Sequence, residues 1–209
     1  MSDDPPPKRT HERHQPGAAC RAGTRDQVGV RAHRVQFAWL RLLAALISLL
    51  VGCGKESMVA ASISVSSPAF SSGGAIPAKY TCSGADVSPA LSWTGTPSGA
   101  HSLVLTVIDP DAPGKPFVHW VIFNLPPASS DLSEGAAPPR DGVQGRNDFG
   151  SNGYRGPCPP PGPAHHYHFK IYALDTMTSL PEGASNSSLQ EAINGHVLAT
   201  GEIVGTFKR

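Results

Sequence analysis

Three stretches of this 209-residue chain gather side chains that can handle charge. Asp109-Pro110-Asp111-Ala112-Pro113 sets two carboxylates two residues apart in a turn stiffened by proline. Such a turn holds acceptors rigidly, although Asp and Pro build turns without any further role. His119 stands near the start of the apolar run Val118–Leu125, beside Trp120. A lone histidine there serves either as a core residue or as a ligand group. Gly153-Tyr154-Arg155-Gly156-Pro157-Cys158 leads through a proline-dense segment into His165-His166-Tyr167-His168. Positions 157–163 hold five prolines, so a wall made from them loses little entropy when it captures a ligand.

Two kinds of chemistry fit these groups. Two histidines and a carboxylate resemble a metal facial triad or an acid/base set for hydrolysis. Neither has a supporting motif. No ligand pair of the His-x-x-x-His kind lies within one element, and no Gly-x-Ser-x-Gly elbow presents a nucleophile. The other kind is binding, with imidazoles, a tyrosine hydroxyl and backbone N–H groups as donors to a small anion.

The elements that must position these groups read as strands. Ser102–Asp109 is apolar on both faces, which predicts a central strand. Val118–Leu125, His168–Leu174 and Gly201–Phe207 are further strands, with shorter ones at Ile63–Ser66, Lys79–Cys82 and Pro89–Trp93. Alternation carried back from Phe169 and Ile171 puts His165 and Tyr167 on the core face and His166 and His168 outward. Ser188–Ala199 carries helical spacing at Leu189, Ala192, Ile193 and Val197 behind Ser187 and Ser188 as caps. With 22 Gly and 21 Pro, about a fifth of the chain, the expected fold is an all-β sandwich with one or two short helices. Residues 129–162 show little periodicity, and a loop that long is usually functional or disordered.

The chain changes character near residue 53. Residues 1–52 hold eight Lys/Arg against four Asp/Glu, and residues 53–209 hold nine against twelve. The later part has no basic stripe interleaved with aromatics, which argues against nucleic-acid binding. Leu42–Gly52 is apolar throughout behind Arg31, Arg34 and Arg41. It is too short to span a bilayer comfortably and reads as an export signal. Leu50-Val51-Gly52-Cys53 resembles the bacterial lipoprotein signal. That resemblance implies cleavage before Cys53, lipidation of Cys53, and an exported lipoprotein anchored to a cell-envelope membrane, on its periplasmic or outer face. The basic region before the apolar run is long for such a signal, which points to a later start such as Val30 or Val35. The expected organisation is a signal region at 1–52, a lipidated tether at 53–61 and a folded domain at 62–209. With Cys53 assigned, Cys82 and Cys158 remain, either bridged or as two small buried thiols.

Taken in order, Asp109-Pro110-Asp111-Ala112-Pro113, Val118-His119-Trp120 with Asn124-Leu125-Pro126, Gly156-Pro157-Cys158-Pro159-Pro160-Pro161-Gly162 and His165-His166-Tyr167 resemble the phosphatidylethanolamine-binding protein family, in its bacterial Raf-kinase-inhibitor-like branch. Tyr80–Gly84 and Ser88–Trp93 match that branch too. The resemblance covers about residues 62–208. It implies a β-sandwich with a pocket for phosphate-like anions, lined by Asp109, Asp111, His119, His165 and Tyr167 and walled by Gly156, Pro157 and Pro159. It implies no cofactor, no metal and no catalysis. Its partners would be a small phosphate-containing ligand or a phospholipid head group, with a protein target for an inhibitor role left open. His166 departs from the family pattern, which more usually has Arg there. Because carboxylates repel anions, Asp109 is expected to hydrogen-bond a histidine, and Asp111 to receive the amine of phosphoethanolamine. The competing expectation is an enzyme, metal- or acid/base-dependent, using Asp109, His119 and His165.

Overall fold

The computed structural model describes residues 61–139 and 142–209. The export signal and the lipidation site at Cys53 lie outside these residues. Among the described residues, nine strands and one α-helix follow one another: β1 (Ala61–Ser62), β2 (Ser64–Ser66), β3 (Leu91–Thr94), β4 (Ser102–Asp109), β5 (Phe117–Leu125), β6 (Asp131–Leu132), β7 (Val143–Gln144), β8 (His165–Leu174), α1 (Asn186–Ile193) and β9 (Val197–Phe207). They form two sheets, ordered β1-β9-β8-β4-β5-β7 and β2-β3-β6. All pairings are antiparallel except that of β1 with β9.

The apolar run of β4 follows from its place between β8 and β5 in the larger sheet. Leu103, Leu105 and Val107 face the smaller sheet and join Leu91, Trp93, Trp120, Ile122, Phe169 and Ile171 in the main core. Val104 turns the other way, to a second cluster with Val121, Phe123, Leu174 and the helix residues Leu189 and Ile193. A strand buried on both faces has no polar side to show. Each such side chain withdrawn from water contributes about 1.5–3 kcal/mol.

Two irregularities in the β4–β5 ladder matter for the site. Val107 pairs with Trp120, but Ile108 pairs with Val118, so His119 is the extra residue of a β-bulge. The bulge lets Val118 and Val121 share the outer cluster while His119 joins Trp120 on the inner side. The second lies near Asn124, whose φ is 57°. Its side chain donates to Thr178 O and accepts from Thr178 N–H, both at 2.9 Å, which fixes this left-handed residue.

The helix and one strand differ from expectation. α1 spans Asn186–Ile193, not 188–199, and Ser185 is its N-cap, accepting the Ser188 N–H at 3.1 Å. Gly195 at φ 83° ends it, and Val197 and Leu198 start β9, because pairing with β8 outweighs the helical spacing of Val197. The segment at Lys79–Cys82 is a short 3₁₀ turn over Ala78–Tyr80. The Tyr80 hydroxyl donates to Glu134 there, and the Thr81 N–H closes the turn on the Ala78 carbonyl.

Candidate functional site

Antiparallel pairing brings the ends of β4, β5 and β8 together. Asp109 continues the inner face of β4, and the register in which Ile108 pairs with His168 sets it beside Tyr167 one step further on. The alternation of β8 holds as read: His165 and Tyr167 are buried, and His166 is exposed. Asp109, His119 and His165 are each more than nine-tenths buried. They line a cavity of about 290 Å³ with Ala112, Pro113, Phe117, Phe149, Cys158, Pro159 and Pro160.

Both histidines are tied at Nδ1. His119 Nδ1 donates to the Arg155 carbonyl at 2.7 Å. His165 Nδ1 donates to Asp109 Oδ2 at 2.8 Å, the histidine–Asp109 bond expected from the sequence. In each ring this leaves Nε2 as the nitrogen with no hydrogen-bond partner among the described residues, and so open to a ligand. The other Asp109 oxygen accepts the Asp111 N–H at 2.8 Å. The carboxylate is therefore occupied on both oxygens, which blunts its repulsion of an anion.

Burial lowers the His119 pKa, against the opposing pull of the Arg155 carbonyl and the Asp109 charge. The free protein thus holds this imidazole neutral near pH 7. Tyr167 packs edge-on against His119, with ring centroids 5.2 Å apart. Burial first, and then the Asp109 charge, push its hydroxyl far above the usual tyrosine range. Among the described residues that hydroxyl has no hydrogen-bond partner although it is buried. An unspent donor there costs about 1–3 kcal/mol unless something accepts from it.

The remaining expected residues take other places. Asp111 lies outside the cavity lining, where its Oδ2 accepts the His166 N–H at 2.8 Å and His166 Nδ1 at 2.7 Å. Those hydrogen bonds lower the Asp111 pKa. Gly156 and Pro157 stand behind the wall, while Pro159 is on it. The Gly156 N–H donates to Asp86 Oδ1 at 2.7 Å. A Cβ at Gly156 would lie 2.3 Å from the Tyr80 carbonyl oxygen, so no larger residue fits without a backbone shift. Pro157 O accepts the Cys82 N–H, and Cys82 and Cys158 form a disulfide with Cα atoms 5.4 Å apart.

Reading the sequence alone missed the aromatic lip. Phe117 and Phe149 lie at 5.3 and 5.4 Å from the His119 ring centroid. Phe149 is held by Asn147, whose Oδ1 accepts the N–H groups of Phe149 and Ser151. The only signal for it was its place within the non-periodic stretch 129–162. Arg155 was quoted but given no role. Its carbonyl orients His119, and its guanidinium pairs with Asp86 at 2.9 Å.

Fold and site together define a β-sandwich protein whose cavity opens at the ends of its central strands, with two oriented imidazoles and one carboxylate in its lining. The sequence profile of the phosphatidylethanolamine-binding protein family matches residues 66–208, and the chain belongs to that family. It is 47% identical over 180 residues to a UPF0098 protein of Pyrococcus horikoshii, covering 80% of this chain and 87% of the relative. A UPF0098 protein of Methanothermobacter thermautotrophicus is 50% identical over 145 residues, covering 68% and 95%. Among solved structures, a phosphatidylethanolamine-binding protein homologue from Chlamydia trachomatis superposes with a TM-score of 0.67 at 44% identity, covering 71% of this chain and 98% of that one. Escherichia coli YbcL, described as a new member of the mammalian family, superposes with a TM-score of 0.68 at 35% identity, covering 71% and 99%.

Proposed function

We propose that the protein is a non-enzymatic binding module, tethered to a cell-envelope membrane through Cys53, that captures small phosphate-type anions and through them regulates a partner. The observation that carries the anion reading is the pair of histidines pinned at Nδ1 over one cavity, His119 by the Arg155 carbonyl and His165 by Asp109, whose other oxygen is already engaged. With the His119 ring neutral, its free nitrogen is an acceptor. An anion is bound together with a proton, carried either on the ligand as P–OH or on an imidazole as N–H. The membrane tether rests on the residues around Cys53, and the inhibitor role rests on family membership alone.

Because Asp111 is engaged with His166 on the outside, the phosphate of phosphoethanolamine dominates and its amine adds little. The test is native mass spectrometry of the purified full chain with inorganic phosphate, phosphoethanolamine or Zn²⁺. Saturable binding of both anions with similar affinity, abolished in His119→Ala, is the expected result. Stoichiometric Zn²⁺ with no anion bound would overturn it. A metal-dependent reading has one observation in its favour, since Nδ1-pinned imidazoles are also how proteins present metal ligands. Among the described residues, however, no three His, Cys, Asp or Glu side chains are grouped to hold a metal ion.

A further inference from the structure

The disulfide is placed where it can act on the cavity. Cys158 is part of the lining and is followed directly by Pro159 and Pro160, which line it too. Its partner Cys82 is exposed, and Cys158 itself is half-buried, so an external thiol can reach the bridge from the Cys82 side. The base of the wall has other ties that do not depend on sulfur. These are the Cys82 N–H to Pro157 O bond, the Gly156 N–H to Asp86 bond, the Arg155–Asp86 ion pair and the Tyr154 hydroxyl on Tyr80 O. Beyond Cys158 the described residues show one tie on the wall, from Arg209 Nε to Pro159 O. Cutting the bridge therefore leaves the base in place and frees the part that faces the ligand.

We propose that the Cys82–Cys158 disulfide is a redox control on ligand capture: oxidised, it holds the Cys158–Pro160 wall in its binding position, and reduced, it lets the wall leave. This rests on the anion-binding reading of the same cavity. The step is thiol–disulfide exchange with a dithiol reductant. One thiolate of the reductant attacks Cys82 Sγ and expels Cys158 as a thiolate, which takes up a proton. The second thiol of the reductant then displaces Cys82, which is protonated in turn. Two electrons and two protons pass to the protein, and the reductant departs as its own disulfide.

The experiment compares inorganic phosphate binding to the purified full chain when oxidised, when reduced with dithiothreitol, and in the double variant Cys82→Ser/Cys158→Ser. Reduction and the double variant are both expected to weaken binding about tenfold, as when the binding-competent wall is populated about a tenth of the time. Far-UV circular dichroism should be unchanged. By reciprocity, saturating phosphate shifts the glutathione ratio at which the bridge is half reduced by the same factor, read by mass spectrometry on the Cys82 and Cys158 peptides. This second reading decides the matter if the double variant does not fold. Equal phosphate affinity in both redox states, or a glutathione ratio indifferent to phosphate, would overturn the proposal. So would loss of the circular dichroism signal on reduction, which would make the bridge a structural staple. Failure of the oxidised chain to bind phosphate would remove the anion reading itself and this proposal with it.

Discussion

His119 is the residue whose surroundings say most about how the site works. Burial disfavours its charged form, so its native pKa lies below the ordinary histidine value of about 6.5. The unfolded chain binds the proton more readily. The stability this contributes is therefore complete above about pH 6.5 and is lost as the pH falls through the lower native pKa. Urea unfolding midpoints measured from pH 5 to 8 should show this acid-side decline, and His119→Gln should flatten it. On the proposed reading, ligand capture runs the opposite way. An anion at the free Nε2 stabilises the imidazolium, so phosphate affinity should rise on going from pH 8 to pH 6, and calorimetry in buffers of different ionisation enthalpy should detect proton uptake. Asp109 has a different task, since it orients His165 and, with both oxygens engaged, would not meet the proposed anion as a free charge. Asp109→Ala should weaken phosphate binding about tenfold or more, by releasing the ring and leaving its Nδ1 unpaired. Retention of wild-type affinity in that variant would remove Asp109 from the site.

At the scale of elements, the cavity belongs to strand ends and to the loops that cross them. The bulge at His119 is what a strict period of two cannot produce. Without the extra residue, His119 would point to the face that Val118 and Val121 occupy, away from Tyr167 and Asp109. The helix is less involved in the site and is stabilised at both ends by local chemistry. Its N-cap rests on one side chain, so Ser185→Ala should cost about 1 kcal/mol of stability, read as a lower urea midpoint with phosphate binding intact. The sequence put that helix two residues late and carried it too far. Leu189, Ala192, Ile193 and Val197 do share a helical spacing, but Val197 is claimed by the β8 ladder, a competition that no local window contains.

Over the whole molecule, the disulfide spans 76 residues and closes much of the sandwich into one loop. Constraining the unfolded chain this way is worth about 4 kcal/mol in the loop-entropy account. That is a large share of the roughly 5–15 kcal/mol that holds an ordinary domain together. The reduced chain should unfold cooperatively at a clearly lower urea concentration than the oxidised one. What the sequence determined by itself is what repeats locally along the chain. The two-sided apolar run of β4 announced a central strand, the alternation of β8 sent His165 and Tyr167 inward, and the Gly/Pro punctuation implied a sandwich. Each of these depends on side-chain period and turn chemistry, which neighbouring residues fix. The tertiary structure decided everything that depends on register between distant segments. Asp109 meets His165 across 56 residues, and His119 finds the Arg155 carbonyl across 36. Asp111 turns out to His166 and not into the cavity, Phe117 and Phe149 close over His119, and Cys82 reaches Cys158. These contacts follow from the slip of one residue at a bulge and from loops crossing strand ends, and neither leaves a periodic trace in the sequence.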